Sequence, residues 1–156
     1  MARRMTVSGV GPIIAAISGP YLLLALIMTY ACGDVFVVKG IPYPWFAAFG
    51  SVLLGIGLPL FPRSARAVRR AFRKGKLVTE GCYSVCRHPV YASCLVCIAG
   101  VVMFFRSWLL FSVPLVAYAA IKFLIRKEDD YLEEECGEEF LEYKRKVNAL
   151  FPTFRR

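Results

Sequence analysis

Residues 10–31 run for 22 positions without a formally charged side chain, and an apolar stretch of that length fits lengthwise in one kind of solvent only. At about 1.5 Å per residue a helix over it covers roughly 30 Å, the thickness of a bilayer's hydrocarbon. A spanning segment must satisfy its own backbone polar groups, so a helix is the form it takes. Three more apolar runs follow at 43–61, 89–105 and 108–125, and a hydrophobic content of 58% with mean hydropathy +0.55 excludes an ordinary soluble domain. The sequence predicts one all-α integral-membrane domain over 1–156, a polytopic helix bundle of about four transmembrane helices with a cytoplasmic C-terminal amphipathic helix. Residues 1–10 are basic and lead into a span too long for a signal peptide's apolar core, so this first span is read as retained.

Charge sets the expected orientation. Arg63, Arg66, Arg69, Arg70, Arg73, Lys74 and Lys76 form a basic connection, which the positive-inside rule assigns to the cytoplasm together with Arg3 and Arg4. The loop carrying Asp34 and Lys39 is nearly neutral and belongs outside. The formal charge of +9 accompanies no nucleic-acid motif, and its basic residues cluster beside apolar runs. Membrane lipids with anionic headgroups are therefore the expected partner, and nucleic acid is not. The basic segment suits an anionic surface, with guidance of an acidic substrate as the alternative. Gly50, Gly55 and Gly57 in the second span are expected to allow close helix packing.

The chain's one histidine stands in GCYSVCRHPVY at residues 81–91, at the mouth of the third apolar run. Proline suits the first helical position, so Pro89 opens a helix, and Arg87 and His88 sit at its positive end, where a ligand carboxylate or phosphate is favoured. A tight turn at Arg106-Ser107 makes the third and fourth spans a hairpin. The entrance of one and the exit of the other share a membrane face, so Arg87-His88 can meet Glu128-Asp129. Cys82, Cys86, Cys94 and Cys97 with His88 invite a metal reading, but Cys94 and Cys97 lie inside the apolar run, and zinc would have to draw ligands from different depths. No metal is expected. From Glu128 onward Leu132, Cys136, Phe140, Tyr143 and Val147 form a stripe at helical spacing, and Gly137 is expected to divide the helix.

The block LVTEGCYSVCRHPVY at 77–91, followed by EDDYLEEECGEEFLEYKRKV at 128–147 and then Phe151-Pro152, resembles the isoprenylcysteine carboxyl methyltransferase family of integral-membrane enzymes. The resemblance covers residues 75–152. It implies cytoplasmic cofactor-site segments at 75–91 and 126–152, and S-adenosylmethionine held by Tyr83, Arg87, His88, Pro89, Tyr91, Glu128 and Asp129. The family commonly has Glu-Glu where this chain has Glu128-Asp129, often glycine at Ser93, and phenylalanine at Cys136.

What the resemblance implies is methyl transfer at the cytoplasmic membrane face to a lipophilic or prenylated acceptor, most simply a prenylcysteine-type carboxylate. Joining a sulfonium to a carboxylate neutralises both charges and needs alignment and exclusion of water rather than a general base. An arginine should hold the acceptor carboxylate, with Arg87 and Arg145 as candidates. An amine acceptor, as in phospholipid methyltransferases, would need a base that the sequence does not show. A sterol-type reductase using NADPH is a further alternative, although such enzymes have asparagine before the tyrosine where this chain reads His88-Pro89-Val90-Tyr91. A non-enzymatic lipid-binding protein would leave the clustered acids and the lone histidine unexplained.

Overall fold

The computed structural model describes residues 11–74 and 77–152, so Arg3, Arg4, Val10 and Lys76 lie outside the described residues. Within them the regular structure is helical apart from one isolated antiparallel bridge between Val37 and Ser107. Helix α1 (Gly11–Ala31) continues through Pro20. A short α2 (Gly33–Phe36) leads to α3 (Tyr43–Lys74), 32 residues long. The loop of the histidine block contains α4 (Cys82–Val85) and opens α5 (Pro89–Met103), with Pro89 in its first turn. One turn of helix, α6 (Trp108–Phe111), precedes α7 (Val113–Cys136), and α8 (Glu138–Lys146) completes the order.

Two helical stretches, Tyr43–Ala71 and Trp108–Cys136, are long and apolar enough to cross a membrane, while Ser18–Ala31 and Pro89–Met103 are apolar but shorter. Only 11% of the apolar window in the first of these is buried, which excludes the core helix of a soluble protein. Trp45, Phe49, Val52 and Ile56 are all more than half exposed on it. Apolar surface on that scale calls for lipid rather than water, and the chain is a membrane protein. The helices run on past the apolar runs: α3 carries Arg63, Arg66, Arg69 and Arg70 on the same helix as the run at 43–61, and α7 carries Glu128 and Asp129 beyond the run at 108–125. A helix has no reason to end where the hydrocarbon ends, because its hydrogen bonds are internal on both sides of the boundary.

Helix α3 packs against α5 through small residues. A Cβ built on Gly50 would come within 2.8 Å of the Gly100 carbonyl oxygen, and one on Gly57 within 2.6 Å of Cys97 Sγ and 3.2 Å of both the Cys97 nitrogen and the Ser93 carbonyl. Gly55 meets nothing within 4 Å, so the packing role expected of three span glycines belongs to Gly50 and Gly57. Gly57→Ala should destabilise the protein by about 1–3 kcal/mol, since two of its new contacts are backbone atoms that cannot rotate away. Gly55→Ala should be neutral or mildly stabilising. Melting of both variants in detergent checks this, and equal melting temperatures would remove the close crossing.

At the end of the bundle away from the histidine block, the first connection is tied to the Arg106 turn. Val38 N–H donates to the Arg106 carbonyl at 2.8 Å, Arg106 Nη2 returns a bond to the Val38 carbonyl at 2.8 Å, and the guanidinium lies 5.8 Å from the Phe46 ring centre. Thr29 and Ser107 hydroxyls pair at 3.0 Å. An apolar cluster of Ala25, Val102, Leu110 and Val113 joins α1, α5, α6 and α7 beneath this connection. With that end fixed, the start of α5 and the distal part of α7 are brought together at the other.

Candidate active site

Gly81, at φ 64°, lets the chain turn sharply into α4. Cys86 is extended, and His88 is the residue just before α5, whose first turn Pro89 occupies. His88 does not cap α5 with its side chain; the ring points across to α7. His88 Nε2 and Asp129 Oδ1 are 3.0 Å apart, and since a carboxylate only accepts, the proton of this bond sits on Nε2. The other ring nitrogen, Nδ1, faces Glu128 Oε2 at 3.7 Å. Tyr91 stacks on the imidazole, with ring centres 5.7 Å apart, and its hydroxyl donates to Glu128 Oε2 at 2.8 Å.

Arg87 completes the cluster from below. Its Nη1 is 3.0 Å from Asp129 Oδ2, with side-chain exposures of 9% and 8%. The approach is off the hydrogen-bond direction, so the contact is an ion pair, and the buried Nε and Nη1 protons have no hydrogen-bond acceptor. Phe140 lies beneath the guanidinium at 5.8 Å. The two neighbouring acids thus divide. Asp129 is buried against Arg87 and His88, whereas Glu128 keeps 26% of its side-chain surface and an oxygen, Oε1, with no hydrogen bond among the described residues.

A third segment, which the sequence does not advertise, holds the loop in place. The N–H of Arg87 donates to the Asn148 carbonyl at 2.8 Å and that of His88 to the Ala149 carbonyl at 2.9 Å. The Tyr143 hydroxyl donates to the Tyr83 carbonyl at 2.6 Å. Gly137, at φ 55°, separates α7 from α8, as expected, and lets α8 fold back. The expected stripe is occupied in full: Leu132, Cys136, Phe140, Tyr143 and Val147 pack together with Leu77. That face covers the histidine block, so it is not available to lie on a membrane. Side-chain periodicity could find Tyr143, but main-chain carbonyls at 148 and 149 leave no trace in residue type.

Every residue expected to contact a cofactor lies in or beside this cluster: Tyr83 and Pro89 in its walls, and Arg87, His88, Tyr91, Glu128 and Asp129 in its polar centre. Arg145 does not join them; it is exposed on α8 and makes no ion pair with the cluster. Ser93 is fully buried, donates to the Val90 carbonyl and packs at the α3 crossing, one turn away from the polar centre. Burial pushes the Cys86 thiol up to about 11 and raises Tyr83 and Tyr143 above the ordinary phenol range, so none of the three is ionised at neutral pH. Among the described residues no group of three His, Cys, Asp or Glu side chains could hold a metal ion.

The model of the isoprenylcysteine carboxyl methyltransferase (ICMT) family matches residues 66–134, which contain both halves of the charged cluster. Over that stretch the chain is similar to the family. Protein-S-isoprenylcysteine O-methyltransferase B of Arabidopsis thaliana is 28% identical over 152 residues, covering 87% of this chain and 75% of the plant protein. Cobalt-zinc-cadmium resistance protein CzcN of Cupriavidus metallidurans is 37% identical over 64% of this chain, and nickel-cobalt-cadmium resistance protein NccN of Alcaligenes xylosoxydans xylosoxydans 33% identical over 64%. The chain spans about half the length of these two bacterial relatives, 47% of each. The ICMT model's match ends before α8, and the fold brings Phe140, Tyr143 and the carbonyls of Asn148 and Ala149 to the site from beyond it.

Proposed function

We propose that the chain is a membrane methyltransferase that binds S-adenosylmethionine at the Arg87–Asp129 cluster and esterifies the carboxylate of a lipophilic, prenylcysteine-type acceptor. The observation that carries this reading is the convergence of Arg87, His88, Tyr91, Glu128 and Asp129, from two segments of the stretch similar to the ICMT family, into one largely buried charged cluster. The residues fit such a donor. An ammonium or ribose hydroxyl suits Glu128 Oε1. When bound, the donor supplies a methyl group activated by a sulfonium. Asp129 holds His88 and Arg87 in position, Tyr91 fixes one oxygen of Glu128, and the α8 cover keeps water away. No side chain has to remove a proton from a carboxylate acceptor, which agrees with the un-ionised state of Cys86 and Tyr83.

The wider arrangement is a four-span domain, with α1 and α5 completing their crossings through flanking residues and the cluster facing the cytoplasm beside the basic end of α3. The acceptor's tail stays among the spans, each buried methylene contributing about 0.8 kcal/mol. Of the two arginines considered for its carboxylate, the buried Arg87 is preferred over the exposed Arg145. Tritiated methyl transfer to a small prenylcysteine is the test, with phosphatidylethanolamine in the same micelles as competitor. Base-labile label on the prenylcysteine is expected. Base-stable label confined to the phospholipid would replace the carboxylate reading with amine methylation, and binding of NADPH without S-adenosylmethionine would remove methyl transfer altogether.

A further inference from the structure

The basic end of α3 is more than a scatter of charge. Arg63, Arg66 and Arg70 line a concavity of about 180 Å³ whose fourth wall is the small Ala67. None of the three makes an ion pair among the described residues, and the one recorded bond is from Arg66 Nε to the Pro62 carbonyl, 3.0 Å, within the helix. Spacings of three and four keep them on one face, and the same spacing continues back through Pro59, Ile56 and Val52, which are exposed. That face is therefore apolar until Pro59 and cationic from Arg63 onward. The step from Val52 to Arg63 rises about 16 Å, close to the roughly 15 Å depth of one leaflet's hydrocarbon.

We propose that this face holds a single anionic glycerophospholipid, its phosphate in the notch of Arg63, Arg66 and Arg70 and an acyl chain along Pro59, Ile56 and Val52. Three arginines lining one small concavity supply guanidinium donors for phosphate oxygens, and the exposed apolar stripe supplies a length-matched bed for the chain. Neither half alone selects this occupant. A soluble anion would leave the stripe bare, and a zwitterionic lipid would set its own cation against the arginines. The proposal rests on α3 lying across a bilayer and does not depend on which acceptor is methylated.

The full-length protein is extracted from vesicles of phosphatidylcholine and phosphatidylglycerol, and lipid retained per chain is measured by native mass spectrometry. One phosphatidylglycerol per chain is expected in preference to phosphatidylcholine. Arg66→Gln should lower its occupancy ratio about fivefold, as expected for one interfacial cation. Arg69→Gln, which removes equal charge from a residue that does not line the notch, should leave the ratio nearly unchanged. Equal losses in the two variants would reduce the effect to diffuse attraction and overturn the site. Equal retention of phosphatidylcholine, or displacement of the lipid by inorganic phosphate alone, would overturn it too. Methyl transfer measured on the same preparations separates failure of this proposal from failure of the proposed activity.

Discussion

Asp129→Ala is expected to lower the melting temperature of the detergent-solubilised protein by roughly 10 °C, corresponding to about 3–5 kcal/mol, while Asp130→Ala leaves it within error. Asp129 is the one carboxylate that meets both Arg87 and His88, at 3.0 Å each. Its removal would strand a guanidinium that is 9% exposed and already lacks acceptors for two of its nitrogens. A buried charge without a partner is costlier than a missing pair, which is why the effect should exceed that of an ordinary core truncation. Asp130 is exposed and forms no ion pair among the described residues. Asp129→Asn keeps the acceptor for His88 but not the charge for Arg87, and should fall between. A melting temperature for Asp129→Ala indistinguishable from that of Asp130→Ala would mean the ion pair does not hold the histidine block.

Glu128→Ala should act on binding rather than on stability. It is expected to weaken S-adenosylmethionine affinity at least about tenfold, or 1.4 kcal/mol, in titration calorimetry. Its side chain is partly open, and one oxygen is left for a ligand once Tyr91 has taken the other. Glu134→Ala, on an exposed part of the same helix, should bind like the parent. Small and equal effects would assign Glu128 to a solvated surface. The contrast with Asp129 sharpens the test, because adjacent residues on a helix point about 100° apart. One should lower melting and the other affinity.

That division between neighbours could not be read from the sequence, where Glu128 and Asp129 are two acids at a span exit. Their meeting with Arg87 and His88 could, because a hairpin of two apolar runs leaves its free ends at one face. The break at Gly137 and the stripe from Leu132 to Val147 were legible for similarly direct reasons: a left-handed backbone favours glycine, and helical periodicity marks a buried face. What covers that face was not legible, since Leu77 and the histidine block are distant in sequence. That α3 and α7 continue past their apolar runs was not legible in hydropathy, which reports the solvent around a helix and not its length. Arg145 was a candidate by charge alone, and charge does not say which way a helix turns its residues.

The pairing of Arg87 and His88 with Asn148 and Ala149 sets a timetable for biogenesis. In the order of synthesis the carbonyls that clasp the histidine block come after both charged blocks. Tyr143, 60 residues after the Tyr83 carbonyl it holds, arrives later than both blocks. A chain truncated before residue 148 would contain both charged blocks, yet the main-chain donors of Arg87 and His88 would remain open. Closure of the site consequently waits for residues 143–149, after every apolar run and both charged blocks have been made.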